Sequence, residues 1–213
     1  MSDIGKLTSG FKIFKSTTFE QKKDIIHHLI DQGQKPTTMV ITCCDLRLSP
    51  AEIFASNPGE LYVINNIGGL VPHYETSDTH GILSAIEYAT EVLEVQNIIL
   101  LGHARCDGIK MMMSDKFTDT KHGLSQSMKT WLSVAEEARV AVKKELADKS
   151  EEYQQKACEE ESLVISLRNL MEYPHISKRV KANKLSICGW HFDVKTGEIL
   201  TFDANTGFFE PLI

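Results

Sequence analysis

The sequence from residue 79 to residue 103 is THGILSAIEYATEVLEVQNIILLGH, and it predicts a helix followed by a strand. The apolar residues on one face of the predicted helix over 79–95 are Ile82, Ile86, Ala89 and Leu93. NIILLGH (97–103) is a short apolar run, which is typical of a buried strand. Because another strand-like run, ELYVINN (60–66), precedes the helix, this stretch predicts a parallel pair of strands joined by a right-handed helical crossover.

The same alternation continues on both sides of this stretch. TMVITC (38–43) predicts another strand, and LSICGWHFDV (185–194) with EILTFDA (198–204) predicts a hairpin joined through KTG. Two long, charged, amphipathic segments, 122–148 and 151–172, predict surface helices. The predicted fold class is therefore α/β, with a mainly parallel central sheet flanked by helices and a C-terminal antiparallel hairpin.

The first 34 residues predict a helical arm rather than a part of the core. Its apolar residues are Phe11, Phe14, Ile25, Ile26 and Leu29. Since such a set has no obvious place in a small α/β core, we expect it to pack on a neighbouring subunit. The chain contains no repeat and no domain-splitting linker, so its 213 residues predict a single domain over 1–213 with the arm at 1–34.

Composition limits the function classes. A formal net charge of −6 and a pI near 5.8 argue against a nucleic-acid partner, which would usually meet a basic surface. No apolar run is long enough to span a membrane, and the N-terminus lacks a signal-peptide core. Five cysteines, two of them adjacent, do not suit a disulfide framework, so we expect a cytoplasmic protein with reduced thiols.

Two short motifs carry the chemistry: Cys43-x-Asp45-x-Arg47 and His103-x-x-Cys106. Each follows or ends a predicted strand, and ligands in open α/β sheets bind outside the carboxyl ends of the strands. Two thiolates and one imidazole form a three-ligand zinc set, and catalytic zinc keeps three protein ligands with one position open. Asp45 then lies near the open position, with Arg47 placed to hold its negative charge.

Either motif alone would be weak evidence. A cysteine at a strand end is usually a small buried hydrophobe, and an Asp–Arg pair is usually an ion pair at the surface. Together, at matching strand ends, they favour a metal site. Cys44 competes with Cys43, but strand alternation points the two to opposite faces and groups Cys43 with Asp45 and Arg47.

The chain resembles the β-class carbonic anhydrases. The resemblance rests on CCDLRLSPAEIF, NPGELYVINNIGGLVPHYE, HGILSAIEYATEVLEVQNIILLGHARCDGIK, EEESLVISLRNLMEYPHI and GWHFDVKTGEILTFDANTGFFEPL, which together cover nearly the whole length. It implies reversible hydration of CO2 to bicarbonate and a proton. In this reaction a zinc-bound hydroxide attacks CO2, and each chain holds one zinc. It also implies a homodimer or homotetramer.

The resemblance carries roles to particular residues. Cys43, His103 and Cys106 would be the zinc ligands, and Asp45 with Arg47 the catalytic dyad. The substrate-binding residues would be Gln34, Tyr62, Ile67 and Tyr88, together with the backbone N–H near Asp107.

Three departures from the family pattern stand out. Asn65 replaces a more usual Arg, Asp107 stands where a Gly usually follows the second cysteine, and Cys44 replaces a small polar residue. A related hydrolase of carbonyl sulfide or carbon disulfide, or a zinc protein of this fold with impaired catalysis, stays open as an alternative. An alcohol-dehydrogenase-like enzyme is disfavoured because no glycine-rich dinucleotide turn follows a strand.

Overall fold

The structure is a computed structural model that describes residues 3–74, 80–121 and 123–213. Its six strands are β1 (Thr38–Cys43), β2 (Leu61–Asn66), β3 (Asn97–His103), β4 (Ser186–Phe192), β5 (Ile199–Asp203) and β6 (Phe208–Pro211). Its helices are α1 (Asp3–Ser16), α2 (Thr18–Gln32), α3 (Pro50–Ile53), α4 (His80–Glu87), α5 (Asp107–Met113), α6 (Asp115–Thr118), α7 (Gln126–Leu132), α8 (Glu136–Glu145), α9 (Glu151–Glu172) and α10 (Pro174–Lys181).

The strands form one sheet in the order β2-β1-β3-β4-β5-β6. The first four strands of that order are parallel, and β5 and β6 are antiparallel to their neighbours. The α/β prediction and the β4–β5 hairpin are therefore confirmed, while β6 was not predicted. The predicted parallel pair is wrong in one respect, because β1 lies between β2 and β3.

Alternation along β1 separates two sides of the sheet. Met39 and Ile41 pack into one buried cluster with residues of α4 and α9, and Val40 packs into another beside Leu101. The predicted helix over 79–95 is present as α4 followed by a π-helical turn, Tyr88–Val92, and its apolar face packs against the first cluster. The predicted starts of two helices, residues 79 and 122, lie outside the described residues.

The prediction of a single surface helix over 122–148 is wrong. The chain forms α7, then a 3-10 turn over Ser133–Ala135, then α8. Leu132 and Ala135 are both fully buried, and the tighter turn places residues three apart on the same side.

The prediction of an amphipathic surface helix over 151–172 is confirmed by α9, which has these bounds and is exposed along one side and buried along the other. The buried stripe of α9 is Cys158, Glu159, Ser162, Leu163, Ile165, Ser166, Asn169 and Leu170. Half of this stripe is polar and hydrogen-bonded within the protein, as when Asn169 Nδ2 donates to the Val71 carbonyl at 2.8 Å. A buried face built from polar residues is not visible as a hydrophobic stripe.

The predicted N-terminal helical arm is present as α1 and α2, and neither helix buries a residue. Phe11, Phe14 and Ile25 are among its exposed apolar side chains. No helix in the described part of the chain combines the length and hydrophobicity needed to cross a membrane.

Candidate metal centre

The site lies at the carboxyl edge of the sheet, where β1 ends at Cys43 and β3 ends at His103. After His103 the chain turns sharply, with Arg105 in the left-handed region at φ 59°. A non-glycine residue there costs about 1–2 kcal/mol, which the surrounding contacts must offset. The turn places Cys106 immediately before α5, where its sulfur faces that of Cys43.

Cys43, His103 and Cys106 form a compact, buried set of donors. Their candidate ligand atoms all lie within 4.8 Å of one another. The two sulfurs are 3.5 Å apart, and the three residues are only 2–3% exposed. Cys44 is exposed, and the cluster does not include it. The structure thus brings together the three residues that the motifs predicted.

The state of His103 fits a metal ligand. Its Nδ1 lies 3.0 Å from the Ala104 carbonyl oxygen, so Nδ1 carries the hydrogen and donates. Nε2 is then the free acceptor, and it is buried without a hydrogen-bond partner among the described residues. Such an orphaned acceptor beside two sulfurs is the arrangement that a metal ion satisfies.

The thiols fit the same interpretation. The hydrogen bond from Cys106 lowers the pKa of Cys43, against the opposing effect of burial, with help from the neighbouring His103 and from the Asp45 and Gly68 N–H groups. That same contact, together with burial, raises the pKa of Cys106. The two sulfurs therefore share one proton, because two buried thiolates this close together would repel each other. A cation in place of that proton would stabilise both thiolates.

The Asp–Arg dyad, Asp45 and Arg47, lies beside this cluster and is partly exposed. Arg47 donates to Asp45 Oδ2 at 3.1 Å and to the Arg105 carbonyl oxygen at 3.2 Å. The Asp107 N–H also donates to Asp45 Oδ2, at 2.8 Å. Two hydrogen-bond donors therefore hold the Asp45 carboxylate in place. Asp45 does not belong to the cluster of Cys43, His103 and Cys106.

Sequence reasoning missed the residues that support the cluster from behind. Glu159 on α9 accepts the Cys106 N–H at 2.8 Å, and Gln155 donates to the same oxygen at 2.9 Å. The other Glu159 oxygen lies 3.5 Å from His191 Nε2, and both side chains are 2–3% exposed. The sequence contained one signal for this role. Glu159 is a charged residue on the same helical face as Leu163 and Ser166, four and seven positions further along.

The predicted substrate-binding residues divide into two groups. Ile67 begins a 3-10 turn at the end of β2 and packs against the cluster that contains Cys43. Tyr62 is paired with Met39, four residues before Cys43, or about 13 Å along the strand. Tyr88 packs on Tyr62 with ring centroids 6.1 Å apart and is 47% exposed.

Gln34 belongs with the two tyrosines rather than with the metal-binding cluster. It is exposed and precedes β1, so it lies near the amino edge of the sheet. Within one chain, therefore, Ile67 lies beside the cluster of Cys43, His103 and Cys106. Gln34, Tyr62 and Tyr88 lie toward the amino edge of the sheet.

Comparison with known proteins identifies the family. The family model for carbonic anhydrase matches residues 38–199, which include all three donors and the dyad. Beta carbonic anhydrase 3 of Arabidopsis thaliana is 35% identical over 202 residues, covering 94% of this chain and 76% of the relative. This chain belongs to the β-carbonic anhydrase family.

Solved β-carbonic anhydrases share the whole architecture. The β-carbonic anhydrase CcaA has a TM-score of 0.91 and 29% identity, covering all of this chain and 93% of CcaA. A tetrameric β-carbonic anhydrase from Sordaria macrospora has a TM-score of 0.82 at 23% identity, covering 96% of this chain and 98% of that one. At that identity, the Sordaria structure supports the fold alone.

The structure gives the positions of the three residues at which this β-carbonic anhydrase departs from the family pattern. Asp107 is the first residue of α5, its side chain is 72% exposed, and its carboxylate lies 4.0 Å from Arg47. Asn65 is exposed on β2, opposite Thr42. Cys44 is exposed beside the donors.

Proposed function

We propose that this carbonic anhydrase hydrates CO2 reversibly to bicarbonate and a proton, using one zinc ion per chain held by Cys43, His103 and Cys106. The observation that carries the proposal is the buried cluster of Cys43, His103 and Cys106, in which His103 Nε2 has no hydrogen-bond partner among the described residues and the Asp–Arg dyad lies alongside. Two sulfurs and one imidazole suit zinc, and a set of three leaves one position for water.

The roles of the residues follow from their contacts. Zinc bound here supplies the Lewis acidity that lets water lose a proton near neutral pH. Asp45, held by Arg47 and by the Asp107 N–H, is an acceptor for the remaining hydrogen of the attacking oxygen, which turns a lone pair toward CO2. Ile67 contributes an apolar wall beside the donors, which suits a substrate without charge.

Metal analysis combined with stopped-flow CO2 hydration tests the proposal. We expect about one zinc per chain, and Cys43→Ala should lose both zinc and activity. Cys44→Ala is the matched control, because Cys44 is the exposed neighbour and should retain both. A zinc-loaded protein that does not hydrate CO2 would overturn the proposal, and turnover of carbonyl sulfide measured in parallel would identify the related hydrolase activity.

We further propose that the enzyme is a homodimer or homotetramer whose pocket is completed by a second subunit. Gln34, Tyr62 and Tyr88 are exposed or half-exposed at the edge opposite the donors, and no residue of the arm formed by α1 and α2 is fully buried within its own chain. A partner that covers these surfaces would explain both facts. The description of the Sordaria relative as tetrameric adds support.

Mixed oligomers test whether the pocket is shared between subunits. Cys106→Ala and Tyr88→Ala should each be impaired alone. If the tyrosine acts across the interface, a mixed dimer of the two contains one site with no defect, so coexpression should restore part of the activity. No restoration, or a stable monomer by light scattering at micromolar concentration, would contradict the shared pocket.

We also propose a cytoplasmic location. The five cysteines are free in the structure, which suits a reducing compartment. Cell fractionation tests this, and recovery from an oxidising compartment would refute it.

A further inference from the structure

One peptide group links a tryptophan to a metal-binding sulfur. Trp131 Nε1 on α7 donates to the Ile67 carbonyl oxygen at 2.7 Å. The N–H of the same peptide unit, which belongs to Gly68, donates to Cys43 Sγ at 3.2 Å. Because a trans peptide holds C=O and N–H in one plane on opposite sides, fixing the carbonyl also aims the N–H.

The surrounding turn does not by itself fix the orientation of this peptide. Gly68 and Gly69 have φ of 82° and 63°, a region that glycine enters freely, so the backbone here has more than one accessible orientation. Asn66 clamps the two ends of the turn, since its Oδ1 accepts the Leu70 N–H at 2.8 Å and its Nδ2 donates to the Leu70 carbonyl at 2.9 Å. Neither of these bonds reaches the peptide between Ile67 and Gly68.

The turn is also too close to its neighbours for bulkier residues. A Cβ on Gly69 would lie 3.3 Å from the Thr42 carbonyl carbon. A Cβ on Gly108 would lie 2.7 Å from Ile67 Cγ2 and 3.2 Å from the Gly68 nitrogen. The turn therefore lies directly against β1 and the start of α5, which is what lets its N–H reach the sulfur.

We propose that Trp131 is a positioning residue for the metal centre: its indole N–H holds the Ile67–Gly68 peptide so that the Gly68 N–H stays on Cys43 Sγ. This inference rests on the metal site of the proposed function. A donor on the carbonyl polarises the peptide and strengthens the hydrogen bond that its N–H makes. An N–H on a thiolate withdraws charge from the sulfur, so Trp131 would tune how much charge Cys43 gives to the metal.

The wild-type holoenzyme provides the first test. In protein loaded with ¹¹³Cd, the amide proton of Gly68 should show scalar coupling to the metal through the hydrogen bond to Cys43. Absence of that coupling would overturn the inference. CO2 hydration by the zinc enzyme is measured separately, so an active enzyme without the coupling would refute this inference and leave the proposed function standing.

Replacement of the tryptophan provides the second test. Trp131→Phe should lose the Gly68 coupling and move the sulfur-to-metal charge-transfer band of the Co²⁺-loaded protein to longer wavelength. Trp190→Phe is the matched control, because it changes the only other tryptophan, which packs against Phe54 away from this turn. If both variants keep the wild-type coupling and spectrum, Trp131 does not position the peptide.

An isosteric replacement removes the uncertainty of folding. Incorporating benzothienylalanine in a Trp190→Phe background keeps the shape of the Trp131 ring and deletes only its N–H donor. The same loss of coupling and the same spectral shift are expected as for Trp131→Phe. A protein that folds, binds Co²⁺ and shows the unshifted band would refute the role of the indole N–H.

Discussion

Glu159 should contribute a large share of the stability of this enzyme, although it lies behind the metal centre and not in it. Its carboxylate accepts the Cys106 N–H at 2.8 Å and a Gln155 N–H at 2.9 Å, and it faces His191 at 3.5 Å. Both Glu159 and His191 are almost fully buried. Replacing Glu159 by Ala would leave the Cys106 N–H and the His191 imidazole without this carboxylate, while Gln155 would keep its bond to the Cys106 carbonyl oxygen at 3.3 Å.

The magnitude follows from these contacts. Hydrogen bonds to a charged group contribute about 1.5–3 kcal/mol each, and removing the Glu159 carboxylate deletes two of them, so the change should cost about 3–6 kcal/mol. For 213 residues, an unfolding entropy of about 2.1 cal/mol/K per residue makes each kcal/mol shift Tm by about 2 °C. Glu159→Ala should therefore lower Tm by roughly 6–12 °C. Glu159→Gln keeps an acceptor for the Cys106 N–H and should lower Tm by less.

Differential scanning fluorimetry of the zinc-loaded proteins, at one concentration and scan rate, measures the effect. Glu160→Gln and Glu160→Ala are the matched controls, since Glu160 makes an i,i+4 ion pair with Lys156 at 3.6 Å and is not part of the buried side of α9. Such a pair contributes a few tenths of a kcal/mol. If Glu159→Ala melts within 1–2 °C of Glu160→Ala, about the shift of a single kcal/mol, the buried carboxylate does not stabilise the site as argued.

Three further predictions concern the site itself. Asp45→Asn should lower CO2 hydration about 10²-fold or more while zinc content stays near wild type, because the role proposed for Asp45 is to orient the attacking oxygen and not to hold the metal; wild-type turnover would remove it from the mechanism. Asp107→Gly should tighten inhibition by bicarbonate and shift the midpoint of the pH–rate profile downward, since a carboxylate 4.0 Å from the dyad arginine is removed; superimposable profiles would show that Asp107 is electrostatically silent. Gly108→Ala should destabilise the protein by about 1–3 kcal/mol and reduce zinc retention, because the new Cβ would lie 2.7 Å from Ile67. Gly10→Ala, where nothing lies within 4 Å, should be neutral or slightly stabilising, and an equal loss in both variants would contradict the steric argument.

The parts of the fold that were predicted correctly are those encoded in short windows. β1 and β3 begin and end where their apolar runs do, and α9 has the predicted bounds. What failed depended on packing between distant segments. The long helix expected before α9 is divided because Leu132 and Ala135 both enter the core. In α9 itself, the polar residues of the buried side, which bond to the loop after β2, were not predicted.

The order of the strands was likewise invisible in the sequence. The helical crossover between β2 and β3 correctly indicated parallel strands, but not that β1 inserts between them. Periodicity within a segment determines whether it becomes a helix or a strand. Which segment becomes its neighbour depends on how all the apolar faces are buried together.

The site shows the same division. Cys43, His103 and Cys106 were predicted by the sequence alone, because ligand spacing and strand ends are local features, and alternation along β1 distinguishes Cys43 from Cys44. Only the tertiary structure decided that Glu159 receives the Cys106 N–H from 53 residues away and that Trp131 reaches Ile67 across 64. It also placed Gln34, Tyr62 and Tyr88 at the opposite edge of the sheet. Such contacts depend on the directions in which packed helices and strands present their side chains, and no pattern within one segment of the chain contains that information.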